Sequence, residues 1–159
     1  AEVERSASDT VGRVNNYLHK KAGGEKFVTL FYGIVSPDGT MTYTNAGHNP
    51  PLLLRAGGDL VKLGDGGLVL GVFPGVVYEE GTVTLGEGDT LLLYTDGLSE
   101  ARDTDGEEFG EQRIIEIGRK HFGQGAEDMR EAIHDAVTEF SLGTPQHDDV
   151  TLVVVRRHE

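Results

Sequence analysis

Residues Phe27–Ala46, FVTLFYGIVSPDGTMTYTNA, contain a strand, a tight turn and a second strand in twenty positions. From Phe27 to Val35 both alternating sets are apolar: Phe27, Phe31 and Val35 on one side, Val28, Leu30 and Ile34 on the other. That pattern predicts a central strand covered on both faces. Ser36-Pro37-Asp38-Gly39 supplies turn chemistry, and Met41–Ala46 returns, so the stretch reads as an antiparallel hairpin.

Working outward, Val3, Ala7, Val11, Val14 and Leu18 recur at steps of four, four, three and four before Gly23-Gly24, which predicts an amphipathic helix with a stop. Downstream of Pro50-Pro51, Leu52–Arg55 and Leu60–Leu63 flank Ala56-Gly57-Gly58-Asp59 as a second hairpin. Gly64–Gly75 reads as loop, and strands resume at Thr82–Leu85 and Thr90–Thr95. Two helices follow, near Glu108–Phe122 and Ala126–Phe140, and Val150–Val155 is a β-branched closing strand. The expected class is α+β with mostly antiparallel sheets, in a single domain spanning residues 1–159.

Composition excludes several function classes. A formal charge of -13 opposes sequence-independent nucleic-acid binding, which rests on Lys and Arg neutralising phosphates. The absence of cysteine removes thiol nucleophiles, disulfides and thiolate zinc sites. The apolar runs are strand-length, far short of the ~20 residues of a membrane span, and the N-terminus lacks a signal pattern. The chain therefore reads as cytoplasmic, without direct membrane contact.

Two acidic positions stand out by placement. Asp96 follows Leu91-Leu92-Leu93-Tyr94-Thr95, and Asp148-Asp149 precedes the last strand. If these strands run antiparallel in one sheet, the end of the first lies beside the start of the second, and the carboxylates gather at one rim. Clustered carboxylates repel and take up protons unless a divalent cation opposes them. Oxygen-only donors suit magnesium or manganese, and a metal-activated water attacks phosphorus without a protein nucleophile. From spacing alone, however, an Asp-Gly after a strand is more often a turn than a ligand.

Other templates fail. Asp103-Thr104-Asp105-Gly106 lacks the closing Glu of a calcium loop, Gln112 standing there instead. Gly86-Glu87-Gly88-Asp89 lacks the Lys and Ser/Thr of a phosphate loop. His48, between Gly47 and Asn49-Pro50, reads as a hydrogen-bonding turn residue, and His147 as solvent-exposed.

Tyr94-Thr95-Asp96-Gly97, Glu100-Ala101-Arg102, Gly106-Glu107-Glu108-Phe109-Gly110 and Gln146-His147-Asp148-Asp149-Val150-Thr151 together resemble the ordered signature of the stage II sporulation protein E / RsbU phosphatases, which are metal-dependent and 2C-like. Phe27–Gly33 and Asn45–Pro51 resemble the same family, in order. The resemblance implies a layered α-β-β-α sandwich and serine/threonine phosphatase activity with two Mn2+ or Mg2+ ions. Asp96 and Asp148 would be metal ligands and Asp149 structural. It further implies a phosphoprotein substrate of the anti-sigma-factor antagonist type and a sensor domain upstream. The family's earlier Gly-Asp-Val-Ser-Gly-Lys-Gly motif has no counterpart before Phe27. The expectation is therefore the C-terminal two-thirds of a phosphatase domain, incomplete at its N-terminal strands and inactive or weakly active. Its unpaired sheet edges would favour a homodimer or strand exchange. The alternatives are a non-catalytic phosphatase-like module that binds a regulatory partner, and an acidic scaffold without metal.

Overall fold

The computed structural model describes residues 6–146 and 148–158. The chain divides into two compact units, Ala1–Pro50 with Leu63–Leu85, and Pro51–Lys62 with Gly86–Glu159.

In the first unit, helix α1 (Ala7–Ala22) packs on a sheet of β1 (Leu30–Val35), β2 (Thr40–Ala46), β5 (Gly66–Gly67) and β6 (Gly81–Thr84). Ser6 caps α1 by accepting from the Asp9 amide at 3.1 Å, and the Gly23 amide closes its other end on the His19 carbonyl at 2.8 Å. Strand β2 is the hub, antiparallel to β1 and β6 and parallel to β5. The core joins Val11 to Ala46, Leu70 and Tyr78.

Three expectations are corrected here. The strand expected from Phe27 starts at Leu30 and, among the described residues, has β2 as its strand partner, with isolated bridges of Val28 to Leu70 and of Leu30 to Gly47; Phe27 is 65% exposed and Val35 55%. Side-chain pattern reports which faces are apolar, whereas lateral pairing is made by the backbone, so a two-sided apolar run does not distinguish an edge strand from a central one. The buried stripe of α1 is Ala7, Val11 and Asn15, with Val14 exposed; Val3 lies outside the described residues. Asn15 replaces an apolar residue because it ties down the loop that covers the helix: its amide donates to the Phe73 carbonyl at 2.9 Å and its oxygen accepts from the Gly71 amide at 2.8 Å. Finally, part of the expected loop at Gly64–Gly75 is strand β5. A Cβ on Gly66 would sit 1.8 Å from the Asn45 carbonyl oxygen, so this pairing requires glycine.

Tyr78 is buried, which raises its phenol pKa, and its hydroxyl has no hydrogen-bond partner among the described residues. Tyr78→Phe removes that orphan and keeps the ring. It is expected to raise stability by about 1 kcal/mol, measured by urea denaturation; a loss of stability would show that the hydroxyl is in fact satisfied.

The second unit is a sheet in the order β4 (Leu60–Lys62), β3 (Leu52–Leu54), β7 (Thr90–Tyr94) and β8 (Leu152–Arg156), antiparallel throughout. Helices α3 (Gly110–Lys120) and α4 (Ala126–Phe140) cover one face. Register aligns Leu52 with Leu92 and Leu92 with Val154, so the period-two pattern of three strands brings one apolar row under Ile114, Met129 and Ile133. Both hairpins and the helices α1, α3 and α4 stand where the sequence predicts them to within a few residues, and the class is α+β with mostly antiparallel sheets. Among the described residues no helix is long and apolar enough to cross a membrane.

Candidate metal centre

Strand β7 ends at Tyr94, and Asp96 opens the short helix α2 (Asp96–Ser99), which the sequence reading missed because four residues carry no periodicity. Antiparallel pairing of Tyr94 with Leu152 brings the start of β8 beside this point. The junction is clamped by Thr95 and Thr151, to which sequence reasoning assigned no role. The Thr95 amide donates to the Thr151 carbonyl (3.1 Å), the Thr151 amide to the Thr95 hydroxyl (3.0 Å), and that hydroxyl to the Asp149 carbonyl (3.0 Å). A Thr at the end of one strand and another at the start of its partner is the sequence signal that was available.

Gly97 completes the approach. A Cβ built there would lie 2.5 Å from the Asp149 carbonyl oxygen and 3.3 Å from the Asp148 carbonyl carbon. The backbone carrying Asp148 therefore passes directly over the residue that follows Asp96. Both carboxylates are exposed: one Asp96 oxygen accepts from the Gly97 amide at 3.0 Å and one Asp148 oxygen from the Asp149 amide at 2.7 Å. Each carboxylate keeps a second oxygen for which no hydrogen bond is seen among the described residues. Asp149 contributes its backbone carbonyl to the Thr95 clamp.

Two exposed carboxylates on one rim match a hard cation that keeps several of its own waters and takes only one or two protein carboxylates. Among the described residues no group of three or more His, Asp or Glu side chains is placed to hold a metal. His147 lies outside the described residues.

His48 belongs to the first unit. Its amide donates to the Asn45 side-chain oxygen (2.8 Å) and its carbonyl accepts from the Asn45 amide nitrogen (2.9 Å), while its ring faces the Thr29 hydroxyl at 3.4 Å. The Asn45–Pro51 motif is thus built around buried Asn45, which also reaches the Leu63 carbonyl. Tyr94, one residue before the clamp, donates to Glu111 at 3.0 Å, and burial followed by that carboxylate holds its phenol well above the usual range.

The sequence model of the family described as Stage II sporulation protein E (SpoIIE) matches residues 1–158. The chain belongs to that family. It is 31% identical over 157 residues to the phosphoserine phosphatase RsbU of Bacillus subtilis (strain 168), covering 94% of this chain and 45% of RsbU. It is 30% identical over 152 residues to protein IcfG of Synechocystis sp. (strain ATCC 27184 / PCC 6803 / Kazusa), covering 94% of this chain and 24% of IcfG. The chain thus spans less than half the length of either relative. Among solved structures it superposes on the SiaA-PP2C domain of Pseudomonas aeruginosa with a TM-score of 0.81 at 22% identity, covering 96% of this chain and 61% of that one. The SpoIIE-family chain therefore has the PP2C phosphatase fold.

Proposed function

We propose that this chain is the larger part of a metal-dependent phosphatase domain that removes phosphate from phosphoserine or phosphothreonine on a regulatory protein. The observation that carries the reading is the juxtaposition of the Asp96 and Asp148 backbones across Gly97, fastened by the Thr95–Thr151 clamp. RsbU, a phosphoserine phosphatase of similar sequence, supports the reaction class. A substrate of the anti-sigma-factor antagonist type and an upstream sensor domain are carried over from the resemblance.

Asp96 and Asp148 would hold a Mn2+ or Mg2+ ion. When bound, such an ion neutralises the two carboxylates, polarises the phosphoryl oxygens and activates water for in-line attack. The chain's own contribution is positional. The clamp holds the residue before Asp96 against the residue after Asp148, and Gly97 lets the two backbones close to van der Waals distance.

We further propose that the remaining acidic ligand comes from strands of the parent domain outside this chain. The lateral edges of β1 and β8 support this, each lacking a second strand partner among the described residues. The same edges suit pairing with a second copy. A non-catalytic, partner-binding module is the second reading, favoured by the want of a third acid among the described residues.

The test compares this chain with an N-terminally extended protein carrying Asp96→Asn or Asp148→Asn. Saturating Mn2+, at 100 times Kd, is expected to stabilise the parent by about 2.7 kcal/mol. Each substitution is expected to weaken the ion at least about 10-fold and to abolish phosphoserine hydrolysis. Full hydrolysis by both variants would overturn the mechanism, and metal binding without hydrolysis in the extended parent would establish the non-catalytic module.

A further inference from the structure

The second unit contains a cleft of about 730 Å3 that is lined by Asp148 and by Gly97, the residue after Asp96, and runs along the end of α4. Its apolar lining comes from buried Val137 and from Leu142 and Val150, which are 75% and 36% exposed. An uncovered leucine forgoes roughly 25 cal/mol for each Å2 of surface that a partner could bury.

The cleft is preformed. The Thr144 hydroxyl lies 2.6 Å from both the Arg102 and the Ser141 carbonyl oxygens and shares its one proton between them, which links the loop bearing Leu142 to the Arg102 segment. Its charge pattern selects the occupant. Of the basic residues in the lining, Arg102 is already paired with Glu108 at 3.0 Å and the His134 ring faces the Asp135 carboxylate at 3.4 Å, while Glu100 and Asp148 leave the lip acidic. A second phosphate or an acidic side chain is therefore disfavoured, and a free phosphate ester would leave Leu142 and Val150 uncovered.

We propose that this cleft receives an apolar side chain of the substrate polypeptide, from a residue adjoining the phosphorylated one, and that Leu142 and Val150 make the selecting contacts. The inference rests on the phosphatase reading and adds sequence selectivity to it. The cleft becomes a subsite that separates a phosphoprotein from inorganic phosphate and small esters. A methyl-bearing side chain entering such a site is worth 10- to 200-fold in discrimination in general terms, so roughly 10-fold is expected here.

The test is selection from a peptide library in which a non-hydrolysable phosphonate analogue of phosphoserine is fixed and its flanks are randomised, with Mn2+ present. The expected result is enrichment of Leu, Ile, Val or Met at one flanking position by roughly 10-fold, lost in Leu142→Asp and in Thr138→Glu. Thr138 lines the cleft and is exposed, so neither change enters the core; unchanged circular-dichroism melting verifies folding. Phosphonate peptides retained without flank preference, or a preference that persists in both variants, would overturn the subsite and leave the phosphatase reading standing. Failure of the folded parent to retain any phosphonate peptide would overturn both.

Discussion

Gly97→Ala is expected to disrupt the acid rim more than any other single methyl group added to the chain. The new Cβ would stand 2.5 Å from the Asp149 carbonyl oxygen and 3.0 Å from its carbon. These are backbone atoms, and they cannot swing aside as the tip of a flexible side chain does. The three bonds of the Thr95–Thr151 clamp hold them in place, so relief requires breaking the clamp or tilting α2. Overpacking of this kind costs about 3 kcal/mol. The melting temperature should fall by roughly 6–12 °C, and the affinity for Mn2+ with it. Thermal melting and calorimetric titration measure the two effects. A variant that melts within about 1 °C of the parent would mean that the two backbones are not in contact.

Asp89→Asn is expected to be nearly as damaging, for a different reason. Asp89 is only 4% exposed, in the turn between β6 and β7. It accepts from the Ala56 amide at 2.9 Å, the Gly86 amide at 2.8 Å and the Arg55 guanidinium at 2.8 Å. Burial pushes its pKa up, but the Ala56 amide, Arg55 and the Gly86 amide together outweigh burial and hold the carboxyl below its ordinary value of 3.8. A carboxyl depressed in the folded state stabilises the fold at every pH above 3.8, and that contribution disappears as pH falls from there through the folded value. The parent should therefore lose stability steeply below about pH 4, whereas the Asn variant, about 2–3 kcal/mol weaker at pH 7, should show a shallower acid limb. Urea denaturation from pH 3 to pH 7 reads both; parallel curves for the two proteins would show that Asp89 does not carry the linkage.

These two residues mark where local reading stops. Gly97 and Asp89 were both visible as parts of Asp-Gly and Gly-x-Gly-Asp turns, and turn chemistry was a sound inference from residue type. That Asp89 anchors the Arg55 hairpin, thirty-four residues away, is invisible to any local pattern. The same holds for Asn15, whose polar side chain sits inside an apolar stripe because a loop near residue 73 needs its two bonding ends. Buried polar residues are chosen by partners distant in sequence, so periodicity, which assumes that buried means apolar, misplaces them.

The apolar runs Leu52–Leu54 and Leu91–Leu93, the β-branched run Val150–Val155 and the steps of four from Met129 to Ile133 to Val137 were sufficient to specify strands and a helix. The turn residues were likewise sufficient for hairpins, and Asp96 and Asp148 could be singled out because each flanks a strand. The antiparallel pairing of β7 with β8, raised from the placement of the two acids, is the pairing the structure has; the rest of the lateral order lay beyond that reading: β1 at an edge, β5 beside β2, and residue 149 against Gly97. Strand neighbours are chosen by backbone hydrogen bonds, which are the same for every residue but proline, and so leave almost no trace in side-chain type.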